Sequence, residues 1–266
     1  LFVDMVALGV DVGQASVPSN ITRSLGAPTA PSTDPAVFDL VGKVGLGDID
    51  LSDDGTTLYV MSLNDKKLYA VDVASKTLAG NFAVPDPGCT GGAWRPFALK
   101  YYHNGLYVGG VCDAQTSQSA ANLRAIVYRF NGSTFTSVMN FALNYSKGYA
   151  YSTCPSLTGW FPWTSSMPAP CFIDVTGPVI VQPAPLFTDI EVDMDGSLIL
   201  GFADRMGHQA GWYNGSTTDA NAKLWNVIGG DTLRAYNNYG TFVLETNATA
   251  GPNSSAGSNN NQGSGG

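Results

Sequence analysis

Charge is scarce in this chain: 13% of its 266 residues are Asp, Glu, Lys or Arg, and histidine occurs twice. Nucleic acids and anionic membranes are held through clusters of Lys and Arg. With 13 basic residues against 21 acidic ones, a net charge of −8 and no basic run, both are poor partners and a cation fits better. No apolar stretch approaches the roughly 20 residues of a membrane-spanning helix, and long runs of helical periodicity are missing. The start, Leu1-Phe2-Val3-Asp4-Met5, lacks the basic segment and cleavage site of a signal peptide, and also an initiator Met. It reads as a processed product or a portion of a longer chain. There is no Gly-x-Ser-x-Gly elbow, no His-x-x-x-His pair and no glycine loop for phosphate, so no strong enzymatic motif is present.

What the chain does have is apolar content (44%), glycine (31 residues) and tyrosine (12), a composition typical of all-β secreted proteins. Its organising unit is a hairpin. Thr188 to Gly201 alternates apolar and polar residues, turns through Asp195-Gly196 and leaves in a second apolar strand, and Gly47 to Val60 does the same around Asp54-Gly55. A weaker copy at Pro96 to Val108 turns through Asn104-Gly105. Leu68-Tyr69-Ala70, Leu123-Arg124-Ala125 and Leu233-Arg234-Ala235 hold the same place in three repeats, each with room for four short strands.

The spacing therefore predicts an all-β, β-propeller-like fold of about three four-stranded antiparallel blades, at 45–85, 95–143 and 187–246 within a region spanning 45–246. Residues 1–10 read as an orphan strand of a preceding blade, 11–44 as a loop or linker, 144–186 as a disulfide-stapled insertion and 247–266 as a flexible Gly/Ser/Asn linker. Closed propellers typically need four to eight blades. Three blades and a strand thus imply an incomplete or shared ring, completed by further segments of the same protein or by adjacent copies.

Four cysteines, Cys89, Cys112, Cys154 and Cys171, allow three pairings, and none has zinc or redox spacing. Short loops favour Cys89 with Cys112 and Cys154 with Cys171. Asn-x-Ser/Thr sequons occur at Asn20, Asn131, Asn144, Asn214, Asn247 and Asn253. With the cysteines they favour an extracellular, cell-surface address.

Val44 through Val60, Pro85-Asp86-Pro87-Gly88-Cys89 with Arg95 through Lys100, Asp189-Ile190-Glu191 through Asp204-Arg205 with Gly207-His208-Gln209, and Gly230 through Ala235 resemble the propeller-like region of large bacterial cell-surface proteins carrying SdrD B-like or Cna B-like domains. The resemblance covers roughly residues 40–246. It implies a secreted, multidomain surface protein whose propeller continues on both sides, and no established catalytic residues.

Asp48 with Asp50, and Asp189 with Glu191, share one side of the first strand of their repeats, which in a propeller borders the central channel. Their oxygens suit Ca²⁺, or else hydrogen bonds to neighbouring strands. Asp193-Met194-Asp195-Gly196 lacks the rest of a calcium loop and reads as a turn. Asp204 and His208, beside Arg205, form a conceivable acid–base site; His103 sits on an exposed turn. Trp160, Trp163 and Trp212 offer either flat platforms for surface glycans or a local core. The leading reading is a non-catalytic structural or adhesive module of a cell-surface or filament protein. The rivals are a secreted propeller hydrolase or lyase, and a carbohydrate-binding module.

Overall fold

The computed structural model describes residues 2–27, 29–148, 151–175, 177–219, 221–246 and 249–254. The chain is all-β and propeller-like. The first sheet is an antiparallel meander of β1 (Leu46–Leu51), β2 (Thr57–Ser62), β3 (Lys67–Asp72) and β4 (Thr77–Ala83). Its first turn is closed by Asp54, whose Oδ1 accepts the Ser52 and Thr56 hydroxyls and the Thr56 N–H, with Gly55 at φ 71°.

The second meander is β5 (Trp94–Tyr101), β6 (Leu106–Cys112), β7 (Arg124–Phe130) and β8 (Phe135–Ala142). A short mixed sheet then begins with β9 (Phe172–Asp174) and β10 (Gly177–Ile180). The third meander opens with β11 (Pro185–Val192) and β12 (Leu198–Asp204). It is interrupted by helix α2 (Arg205–Ala210), β13 (Asn214–Gly215) and β14 (Lys223–Asn226), and closes with β15 (Asp231–Asn238) and β16 (Thr241–Leu244).

One backbone irregularity recurs in all three meanders. The register of the first strand against the second shifts between Leu46 and Ile49, between Pro96 and Ala98, and between Phe187 and Asp189. A bulge bends a strand and sharpens its twist, and all three inner strands are bent at the same point. These strands, β1, β5 and β11, lie against one another, so the sheets fan out from a shared axis as propeller blades do.

Apolar residues fill both inter-blade gaps. Met61, Leu68, Leu99, Val108, Ile126 and Phe130 pack between the first and second blades, and Val111, Val127, Leu186, Phe187, Ile190 and Leu200 between the second and third. Every residue of β6 is buried, because that strand is sandwiched on both faces. A Cβ at Gly109 would lie 2.9 Å from the Phe187 ring, so only glycine lets that ring reach β6.

Four departures from the sequence reading have local causes. Residues 2–10 form turns, not an orphan strand: Asp4 Oδ1 accepts the Val6 and Ala7 N–H groups, and the Leu8 N–H bonds Asp4 O. Asx-turn chemistry thus prevails over alternation. The apolar residues still find cover, since Met5 and Val10 pack on Val60, Tyr69 and Val71 of the first blade.

The segment 11–44 is not wholly surface loop. Its helix α1 (Pro35–Phe38) buries Phe38 against Ile180, Met206, Ala210 and Leu224. The expected insertion also does more than decorate a face, because β10 pairs parallel with β14 in a sheet ordered β13-β14-β10-β9. Within 247–266, Thr249–Ala250 and Asn253–Ser254 form a small hairpin, β17 and β18, and residues from 255 onward lie outside the described ones.

Both disulfides pair by neighbour, Cys89–Cys112 and Cys154–Cys171, with Cα atoms 5.4 Å and 6.4 Å apart. Among the described residues no helix is long and apolar enough to cross a membrane.

Candidate functional site

Alternation along β1 turns Asp48 and Asp50 toward β5 and leaves Ile49 and Leu51 on the opposite face. Each carboxylate uses both oxygens. Asp48 Oδ1 accepts the Ile49 N–H at 2.8 Å and its Oδ2 accepts the Leu99 N–H at 2.9 Å; Asp50 does the same with the N–H groups of Leu51 and Tyr101. The pair fastens the free edge of β5 to the first blade. Burial holds the Asp48 carboxyl above its usual range, assisted by the charges of Asp189 and Asp50 and opposed by its two backbone bonds.

Asp189 and Glu191 occupy the matching positions of β11. Glu191 is drawn 2.6 Å from Lys100 Nζ. Burial of Lys100 lowers its pKa, but the Glu191 bond and charge outweigh that, so the ammonium is held above its ordinary value. Asp189 is pushed up by burial and then by the Glu191 charge. The four acidic side chains expected as cation ligands thus share the axis, and at least three of them have protein partners. No group of three or more His, Cys, Asp or Glu among the described residues is arranged as a metal site. Asp193 and Asp195, in the turn after β11, are both engaged by the Arg234 guanidinium.

Of the conceivable acid–base group, Asp204 and His208 line one surface cavity and Arg205 does not. Asp204 caps α2, its Oδ1 accepting the Met206 and Ala184 N–H groups at 2.9 Å each and its Oδ2 the Gly229 N–H at 3.1 Å. Burial outweighs these bonds and raises its pKa to about 6. Arg205 is fully buried and serves as a hub, donating to Val41 O (2.8 Å), Thr164 O (2.9 Å) and Asp39 O (3.1 Å) while its guanidinium lies 4.3 Å over the Trp163 ring. Burial lowers its pKa to about 10.

Of the three candidate platforms, two are core. Trp163 is 0% exposed and donates to Pro185 O at 2.7 Å; Trp160 is 3% exposed and donates to the Tyr145 hydroxyl. Neither presents a face to a glycan. Trp212 is 59% exposed, stands edge-on to Trp225 and opens onto that cavity, of about 660 Å³, with Asp204, His208, Asn226 and Ile228. Asn226 donates to Met206 O, and its Oδ1 is buried without a partner among the described residues.

Sequence reasoning missed a second buried network. The Tyr145 hydroxyl donates to Asp231 at 2.6 Å, and Lys147 donates to Gly229 O at 2.7 Å while lying over Trp160. Burial lowers the Lys147 pKa. No spacing rule links residues 86 positions apart, as Tyr145 and Asp231 are. Asn20, Asn131 and Asn144 are exposed, whereas the Asn214 amide accepts from the Ser32 N–H and donates to Ala210 O. Asn253 lies on β18, and Asn247 falls outside the described residues.

No family model matches the chain. It is 27% identical over 176 residues to Colossin-C of Dictyostelium discoideum, an overlap of 63% of this chain and 16% of that protein. Against Colossin-A of the same organism it is 28% identical over 180 residues, 63% of this chain and 2% of the relative. The chain therefore spans a small part of the curated relatives it matches. Among solved structures, a mutant of the GH43 protein BlXynB from Bacillus licheniformis overlaps 76% of this chain and 31% of its own, with a TM-score of 0.35 and 10% identity. An exo-1,5-alpha-L-arabinanase from a bovine ruminal metagenomic library overlaps 76% and 56%, with a TM-score of 0.33 and 11% identity.

Proposed function

We propose that this chain is a non-catalytic structural or adhesive β-propeller module of an extracellular protein. The observation that carries this reading is the use of Asp48 and Asp50. The two carboxylates best placed for channel chemistry are spent on holding β5, with both oxygens of each occupied by N–H groups. Asp204 and Arg205 are likewise committed to backbone groups. Two disulfides favour an oxidising compartment, and the exposed sequons at Asn20, Asn131 and Asn144 suit a glycosylated surface. Assay of the purified chain against aryl glycosides and polysaccharides between pH 4 and 8 tests it. Turnover above buffer that disappears in Asp204→Asn would overturn the non-catalytic reading.

A ligand-binding module is favoured by one observation, the exposed indole of Trp212 beside a cavity of about 660 Å³. An aromatic face and a few polar groups suit a sugar ring. Titration with oligosaccharides, followed by tryptophan fluorescence, should show a saturable change absent in Trp212→Ala; a flat titration removes this reading.

A further inference from the structure

The cavity beside Trp212 has more apolar wall than polar. Besides the exposed indole, Ala203, Val227 and Ile228 line it, and no Lys, Arg, Ser or Thr among the described residues takes part. Ile228 keeps its place because residue 207 is glycine: a Cβ there would lie 2.6 Å from Ile228 Cγ2. At about 660 Å³ the cavity falls within the range of small-molecule sites, roughly 300–1,000 Å³.

Three polar side chains share the wall, and they differ in what they have left to offer a ligand. Asp204 is spent, since both its oxygens accept backbone N–H groups. Asn226 is 5% exposed, and its Nδ2 is anchored to Met206 O at 3.0 Å. That leaves Oδ1 as a buried acceptor with no partner among the described residues. An unpaired buried acceptor is costly, so a ligand that brings a donor to it recovers the cost. His208 is exposed, and its imidazole carries an N–H whichever ring nitrogen is protonated. The wall therefore calls for one donor and one acceptor set among apolar atoms.

A plain hexose answers this poorly. Its rim is hydroxyl all round, and hydroxyls pressed on Val227 and Ile228 would lose their water without gaining a partner. An acetamido group supplies an N–H, a carbonyl oxygen and a methyl together. We infer that the cavity binds a 2-acetamido sugar, with the pyranose face against Trp212, the acetamido N–H donating to Asn226 Oδ1, its carbonyl oxygen accepting from His208 and its methyl resting on Val227 and Ile228. The inference rests on the ligand-binding reading of this cavity given above and names the sugar class that it takes.

Calorimetric titration of the intact chain with the N-acetylglucosamine trimer and with cellotriose tests it, because the two trisaccharides differ only in the group at C2. The acetamido sugar should bind about tenfold tighter or more, and both titrations should be flat in Trp212→Ala. Asn226→Leu should abolish the difference and leave cellotriose binding as it is, with the melting transition as a folding control. His208→Ala, a change at an exposed ring, is the second variant should Asn226→Leu melt abnormally, and it should narrow the difference likewise. Equal affinity for the two sugars, or a preference that survives in both variants, would overturn the acetamido assignment while the sugar-binding reading stands. A chain that binds neither trisaccharide removes both.

Discussion

Asp48 and Leu99, 51 residues apart in the chain, are joined by a 2.9 Å hydrogen bond from the Leu99 N–H to Asp48 Oδ2, and Asp50 repeats the bond two residues on with Tyr101. Charge-assisted bonds at a half-buried strand edge contribute about 1.5–3 kcal/mol each, and removing the acceptor strands the donor. Asp48→Ala with Asp50→Ala should therefore lower unfolding stability by about 3–5 kcal/mol. An unchanged urea midpoint would mean that the blades are held by apolar packing alone.

Calcium should have little effect. With Asp48, Asp50 and Glu191 already partnered, no stabilisation by mass action is expected, and melts in millimolar Ca²⁺ and in chelator should coincide within about 1 °C. A clear rise in Tm with Ca²⁺, lost in Asp189→Ala with Glu191→Ala, would restore a bound cation at the axis.

Asp204 predicts a pH dependence of definite sign. Its folded pKa of about 6 lies above the ordinary 3.8, so between those pH values the folded chain keeps a proton that the unfolded chain has lost. Stability from this group is fully present below about pH 4, falls as pH rises and levels off above 6, a loss on the order of 3 kcal/mol. Asp204→Asn, which keeps an acceptor for Ala184 and Met206, should flatten that slope. Denaturant midpoints measured from pH 4 to 7 decide the matter.

Arg205→Met should be severe, because it takes from the carbonyls of Asp39 and Val41 their guanidinium donor and leaves that of Thr164 with Gln209 alone. A loss of about 3–5 kcal/mol is expected for breaking a buried charged network. A loss below 1 kcal/mol would show that those carbonyls find other partners.

Local rules made much of the fold readable. Period-two alternation around Asp54-Gly55, Asn104-Gly105 and Asp195-Gly196 marked the three hairpins, because turn chemistry and burial there act over a few residues. The parallel pairing of Val179 with Trp225 and of Ile180 with Asn226 left no such trace, since partners so far apart share no period. At the site, alternation placed Asp48, Asp50, Asp189 and Glu191 on one axis. It carried no information on whether their oxygens would meet a metal or the N–H groups of β5. Trp160 and Trp163 misled for a related reason: an indole with a satisfied N–H is as much at home in a core as on a surface.

The hub at Arg205 has a kinetic consequence. Its acceptors Val41 and Asp39 lie 164 and 166 residues away along the chain, and the ring it covers belongs to Trp163. A guanidinium gives up its hydration only when those acceptors are in place, so the charge stays wet until nearly the whole chain has been assembled. The first two blades close through contacts near in sequence and can form early, while seating Arg205 on Val41 and Asp39 must wait for loop closures of 164 and 166 residues. Arg205 is thus a completion latch: chains stalled before it engages expose Phe38, Met206 and Leu224, the surface on which misassembly would begin.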